Sequence, residues 1–271
     1  MTDADASGLA ALQDPAAQAL AFVRRLVAQH YARAEAALLA GSRARGEAAA
    51  GSDYDVVLLF AALPDGAWRE TILFEEQPVE VFAYDPGALA YFCRRVDGPS
   101  GRPVVLAMVA EGIPALPRPS PLLDAARGIA SEVLRQGPPP LGAEAIRLRR
   151  YAVTDLAAAL SGDRGRGVLS AAGAALHAEL ADFALRSAGR WTAAGKALPR
   201  ALAAMDPALA ARFEAAFAAL FAAGDASPVQ ALVDSVLAPH GGRLREGFRR
   251  SAPAAWREEP GLLRPDRHEG T

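Results

Sequence analysis

Five apolar residues in a row, Val-Val-Leu-Leu-Phe at 56–60, follow directly on Asp53-Tyr54-Asp55. A run this short, apolar at every position and partly β-branched, reads as a strand, and such a strand has to be covered on both faces. That commits the chain to a sheet with a layer above and a layer below it. The two aspartates stand at the mouth of the strand. They are either exposed end residues or half of something that needs negative charge.

The surrounding sequence supplies the layers. Residues 15–37 carry Leu20, Val23, Val27 and Tyr31 at helical spacing, with arginines between them, so an amphipathic helix is expected. Residues 36–40 are small and apolar and end on Gly41, as a first buried strand would. A loop at Pro64, Asp65 and Gly66 leads to a further strand pair, with the turn expected at Gln77-Pro78 and the last strand stopped by Pro86. Residues 87–96 and 104–110 read as helical, the second with a strand as its alternative. Four prolines between 114 and 121 and three between 137 and 142 bracket an amphipathic helix over 122–135. Beyond residue 120 β-branched runs give way to alanine-rich segments, and helices are expected at 142–160, 167–189, 197–222 and 227–238. Asp206-Pro207 should break the third of these, with Asp as cap and Pro at the first position. From Pro253 a charged, proline-rich tail is expected to be loose. The fold class is therefore α+β. A mixed sheet with flanking helices fills residues 1–120, and a helical bundle fills 121–271.

Composition narrows the function classes. A chain of 271 residues that is 52% hydrophobic can bury substantial cores. Its formal net charge of -2 gives no global field for nucleic acid, which becomes the weaker partner class. One cysteine, Cys93, rules out an internal disulfide and a thiolate metal cluster and suits a reducing cytoplasm. The acidic start, MTDADASG, does not resemble a secretory signal, and no uninterrupted apolar run is long enough to span a membrane, so no membrane partner is expected. The four histidines, His30, His177, His240 and His268, are scattered singly and offer no metal spacing, and His177 reads as a core or groove residue.

The acids are the informative part. Asp53 and Asp55 are two apart in a strand, so both point to one side. Two anions that close raise each other's pKa unless a cation neutralises them, and Mg²⁺ is a hard ion that accepts carboxylates and fills its shell with water and phosphate oxygens. Glu80 interrupts another apolar strand, Val79-Glu80-Val81-Phe82, and is placed to be a third acid. A lone charge there is costly unless it meets a cation or an opening. Gly41 and Ser42 end the first strand, and glycines at 46 and 51 allow close backbone approach. Such a turn can aim N–H groups and the Ser42 hydroxyl at a phosphate, with Arg43 and Arg45 on either side. It is not a Walker A loop, since the Gly-Lys-Ser/Thr ending is missing. Each feature alone is commonplace; together they point to one site.

Gly41-Ser42, ten residues, Asp53-x-Asp55 and then Glu80 resemble the signature of the DNA-polymerase-beta-like nucleotidyltransferase superfamily. The wording "GSRARG…SDYD" looks especially like its small stand-alone bacterial members, the aminoglycoside nucleotidyltransferases among them. The resemblance implies that Asp53 and Asp55 hold Mg²⁺ and the triphosphate of ATP or another nucleotide. It implies that Glu80 either acts as general base on the acceptor hydroxyl or joins the metal shell. Gly41, Ser42, Arg43 and Arg45 would then contact the nucleotide. The implied reaction transfers a nucleoside monophosphate, AMP from ATP, to a hydroxyl of a small-molecule acceptor and releases pyrophosphate. Two rivals are transfer to protein or RNA, as in toxin-antitoxin systems, and a catalytically silent nucleotide binder.

In the second half Lys196, the chain's single lysine, follows Gly195 ahead of a helix. It either reaches the phosphates across a cleft or is an ordinary surface lysine. Trp191 either stacks on a base or packs a helix pair. Glu179 and Asp182 share one helix face and would draw a cationic acceptor if they faced the cleft, although the outward orientation is expected. Arg147, Arg149 and Arg150 form a short basic run that reads first as a solvated face.

Overall fold

The computed structural model describes residues 14–162 and 164–252. The acidic start, the tail from Pro253 and His268 lie outside the described residues.

The first described element is helix α1 (Pro15–His30), capped by the Asp14 carboxylate, which accepts from the Ala16 amide, with Pro15 at the first position. Strand β1 (Ala36–Ala40) follows, then one helical turn, α2 (Gly41–Ala44), and β2 (Tyr54–Leu59). Strands β3 (Trp68–Phe74) and β4 (Gln77–Tyr84) form a hairpin. The sheet has the order β3-β4-β2-β1-β5, where β5 is the two-residue strand Ile113–Pro114. Because β3 makes the return journey, β4 slots in beside β2 and runs parallel to it, while the remaining pairs are antiparallel. The sheet is therefore mixed.

Alternation along the strands sorts the side chains into two layers. Leu39, Val56, Leu58, Val79 and Val81 face α1, meeting Phe22, Val23 and Leu26. Leu38, Val57, Leu59, Phe82 and Tyr84 face the other way. There they meet α3 (Pro86–Tyr91), the π-helical turn Phe92–Asp97, α4 (Val104–Glu111) and α5 (Pro121–Gln136). Both faces of the sheet are covered, as the apolar run in β2 requires.

One expectation is corrected here. The hairpin turn lies at Glu75 and Glu76, with φ of 47° and 62°, and not at Gln77-Pro78. A tight hairpin turn needs positive φ at its central residues, where glutamate is an unusual occupant, so the Asn-Gly type of signal was missing. Glu75 is held there by a bidentate pair with Arg25 of α1, at 2.8 and 2.6 Å. Pro78 is accommodated at the second residue of β4, before the pairing with β2 begins at Val79. The stretch at 104–110 is the expected helix and not its strand alternative.

The helical half contains α6 (Ala143–Ala158), α7 (Arg166–Ser187), α8 (Leu198–Met205), α9 (Pro207–Ala223) and α10 (Ser227–Leu237). Asp206 caps α9 by accepting from the Ala208 and Leu209 amides, so the expected break falls at Asp206-Pro207. Val153, Leu176, Leu180, Phe183, Phe213, Phe217, Leu232 and Val233 form a core of their own. Among the described residues α7 is the one helix long and apolar enough to cross a membrane by length and composition; here it packs at the centre of this core. Leu123, Ala126, Ala130 and Val133 of α5 pack on the sheet instead. Membership of the two cores changes within residues 137–142, one helix later than residue 120.

Candidate functional site

Parallel pairing sets Asp55 beside Glu80, and Asp53 lies just ahead of β2. Carboxylate oxygens of Asp53, Asp55 and Glu80 all lie within 4.8 Å of one another, each side chain half-buried. The three acids that sequence spacing singles out are thus brought to one spot at the strand ends. The spot is on the layer that also faces the helical half.

Gly41 makes room for this arrangement. Its φ is +65°, and a Cβ built on it would lie 1.8 Å from Asp55 Oδ2. Only a residue without a side chain lets the chain turn there with the carboxylate against its backbone. Next to it, Arg43 is taken up by its own chain. Its Nε donates to the Asp53 carbonyl at 3.1 Å, its Nη2 donates to the Ser52 carbonyl at 2.6 Å, and its guanidinium lies 3.8 Å from the centre of the Tyr54 ring. Arg43 braces the loop that presents Asp53, a job the sequence did not suggest. Ser42 sits in the helical turn beside these groups, half-buried.

The electrostatics show a surplus of negative charge. Burial pushes the Asp55 carboxyl upward, and the anions of Asp53 and Glu80 push it further, while Lys196 and Arg45 pull it back. Lys196 stands exposed in the turn Gly195–Ala197 before α8, with no direct bond to the acids among the described residues. Among the described residues Glu80 has one direct partner, Arg69 of β3, whose Nη2 donates to Oε2 at 2.7 Å. Arg69 escaped sequence reasoning because the misplaced turn shifted the β3–β4 register. With Thr71 opposite Glu80, Arg69 falls two residues along the same face. Three oxygen-donor acids, excess negative charge and a backbone cradle with no side chain suit a hard divalent ion such as Mg²⁺.

Arg45 lies to one side, pairing with Glu47 at 2.8 Å and Glu111 at 3.7 Å. Glu47 is shared with Arg200 of α8 at 2.9 Å, which ties the loop after β1 to the helical half. Trp191 packs at the edge of the sheet core, and its Nε1 donates to the Leu134 carbonyl at 3.2 Å. Asp182 does not face solvent as expected; it is buried and ion-paired with Arg149. Arg149 thereby leaves the solvated basic run, while Arg147 pairs with Glu144 and Arg150 donates to the Gly241 and Gly242 carbonyls. His177 is half-buried against the rings of Phe213 and Phe217, and burial lowers its pKa.

The sequence matches no protein-family model and no curated protein. A comparison of folds aligns it with a nucleotidyltransferase-like protein from Exiguobacterium sibiricum 255-15, at 12% sequence identity and a TM-score of 0.37, over 79% of this chain and 70% of that one.

Proposed function

We propose that the chain is a Mg²⁺-dependent nucleotidyltransferase that moves a nucleoside monophosphate, AMP from ATP, onto a hydroxyl of a small molecule. The observation that carries this reading is the convergence of Asp53, Asp55 and Glu80 carboxylates within 4.8 Å. Charge surplus of that kind is unfavourable in the protein alone and becomes useful when a cation and a polyphosphate arrive. The sheet half would supply the chemistry and the helical half would shape the substrate cleft.

Asp53 and Asp55 would hold the ion, which when bound supplies positive charge against the negative charge developing on the transferring phosphate. Ser42, Arg45 and Lys196 would meet the triphosphate from the α2 side and from across the gap, with Gly41 keeping the approach open and Arg43 fixing the Asp53 loop. Glu80 is the general base. Arg69 holds its Oε2, and the other carboxylate oxygen takes the proton from the acceptor hydroxyl. The acceptor oxygen attacks the α-phosphorus, a new O–P bond forms, and the bond to pyrophosphate breaks.

Calorimetry of ATP binding with and without Mg²⁺ tests this. Affinity should rise strongly with the metal, and Asp53→Asn should remove most of the gain; equal affinity in both conditions would overturn the reading. In Glu80→Gln, Mg·ATP should still bind while pyrophosphate release slows by about 10²–10⁴-fold. Lost binding in that variant would make Glu80 a metal ligand.

A further inference from the structure

Beside the acids lies a cavity of about 770 Å³, walled by the β1–α2 junction, α4, the end of α7 and α8. Its size is that of a small-molecule site and not of a polypeptide groove. Gly41 lines it while also resting on the Asp55 carboxylate, so the cavity ends at the candidate catalytic centre. Val104, Met108, Leu185, Trp191, Ala201 and Met205 make most of it apolar. The indole N–H of Trp191 is already given to the Leu134 carbonyl, which leaves its ring as a nonpolar wall.

The charged residues are lopsided. Arg45, Arg102, Arg190 and Arg200 line the cavity against one carboxylate, Glu111. Arg45 and Arg200 are compensated by Glu47 and Glu111. Arg102 and Arg190 have no ion-pair partner among the described residues, and the segments bearing them are tied together where the Thr192 amide donates to the Gly101 carbonyl at 2.8 Å. That tie is braced from below. The Arg186 guanidinium packs on Gly101, where a Cβ would come within 2.6 Å of it, and donates to the Pro139 carbonyl at 2.8 Å. Two guanidinium groups on one braced rim favour an anion and oppose a cation. Asp182, which would have welcomed a cation, is engaged on Arg149.

We infer that this cavity receives the acceptor, and that the acceptor is a hydroxyl-bearing small molecule with an apolar body and a negative charge, not a polycation of the aminoglycoside kind. The inference rests on the nucleotidyltransferase reading for the word acceptor, and on the cavity alone for the ligand's chemistry.

Three probes that share one fluorophore separate charge from shape: dansylglycine (anion), dansylamide (neutral) and dansylcadaverine (cation), titrated into the full chain. Dansylglycine should bind at least about tenfold more tightly than dansylcadaverine, the scale of one charge-assisted contact. Arg102→Gln combined with Arg190→Gln should abolish that preference and leave dansylamide affinity and Tm unchanged. Saturating Mg·ATP should leave dansylglycine bound. Equal affinity for the three probes, or a preference that survives both substitutions, would overturn the proposal. Displacement by Mg·ATP would also overturn it, by making the cavity the nucleotide's own pocket. Failure of Mg·ATP to bind at all would instead refute the nucleotidyltransferase reading, while the probe series would still report the cavity's charge preference.

Discussion

Each half of the molecule sets a group of charged side chains in apolar surroundings, and the two are built on opposite plans. At the strand ends three carboxylates crowd together with one direct guanidinium partner among the described residues, and burial plus mutual repulsion pushes Asp55 upward. In the helical half the single acid Asp182 is matched by Arg149, and Arg186 nearby is spent on the Pro139 carbonyl and the packing of Gly101. The second group is the more closed: Asp182 and Arg149 answer each other, while Arg186 is held by packing and one carbonyl and keeps two buried guanidinium nitrogens without a partner among the described residues. The first is open, since Arg69 alone bonds to it directly among the described residues and the Asp55 carboxyl still stays raised.

The contrast can be broken most forcefully at Gly41. Alanine there puts a Cβ into the Asp55 carboxylate at a backbone angle that resists it. Displacing a carboxylate by about an ångström should cut Mg²⁺-dependent ATP affinity or turnover by about 100-fold, with the circular dichroism spectrum kept. Unchanged binding would mean that the acids do not need this packing. Asp182→Ala tests the closed group. It should leave Mg·ATP binding intact but lower unfolding stability by about 3 kcal/mol in urea, because Arg149 loses its partner in a partly buried place. A variant that lost ATP binding and kept its stability would reverse the roles of the two groups.

A subtler test uses Asp97, a buried acid belonging to neither group. Its carboxylate accepts from the Leu106 amide at 2.9 Å and so caps α4 from a distance, since Pro103 provides no side-chain cap. Burial raises it to about 6. A raised folded-state pKa means that the protonated form fits the fold better, so its contribution to stability is full below about pH 4 and is lost as pH rises through about 6. The stability of the native chain relative to Asp97→Asn should therefore fall by about 2 kcal/mol between pH 4 and pH 7, measured by urea unfolding. A difference that stays flat with pH would show that Asp97 is ionised throughout.

The sequence made the sheet and its acids legible because both signals are local. An apolar run names a buried strand, and Asp53, Asp55 and Glu80 stand out by intruding on such runs. Helix limits were legible for the same reason, through caps such as Asp206-Pro207. What stayed hidden depends on distant partners. β5 is two residues long and exists only because β1 offers an edge. Arg69 matters only once the hairpin register is known. The allegiance of α5 to the sheet core could not be read, since its leucines and alanines look the same whichever core they fill. Asp182 was misjudged because a helix face does not announce the arginine on the next helix. Arg102 and Arg190 are far apart in the chain, and only folding makes them one rim.

The parallel pairing of β2 with β4 gives the acids an unusual independence from the chain between them. Asp55 stands next to Glu80 because of backbone hydrogen bonds across the sheet, whatever the length of the hairpin that joins their strands. The stretch from residue 61 to 76 can thus grow, shrink or carry an inserted tag without moving a carboxylate, provided that β3 still finds its edge. A single residue inserted between Val79 and Glu80 has the opposite effect. It would rotate the glutamate onto the α1 side of the sheet and empty one corner of the site. Tolerance and fragility to length change lie within a few residues of each other, and the border between them is the first rung of the β2–β4 ladder.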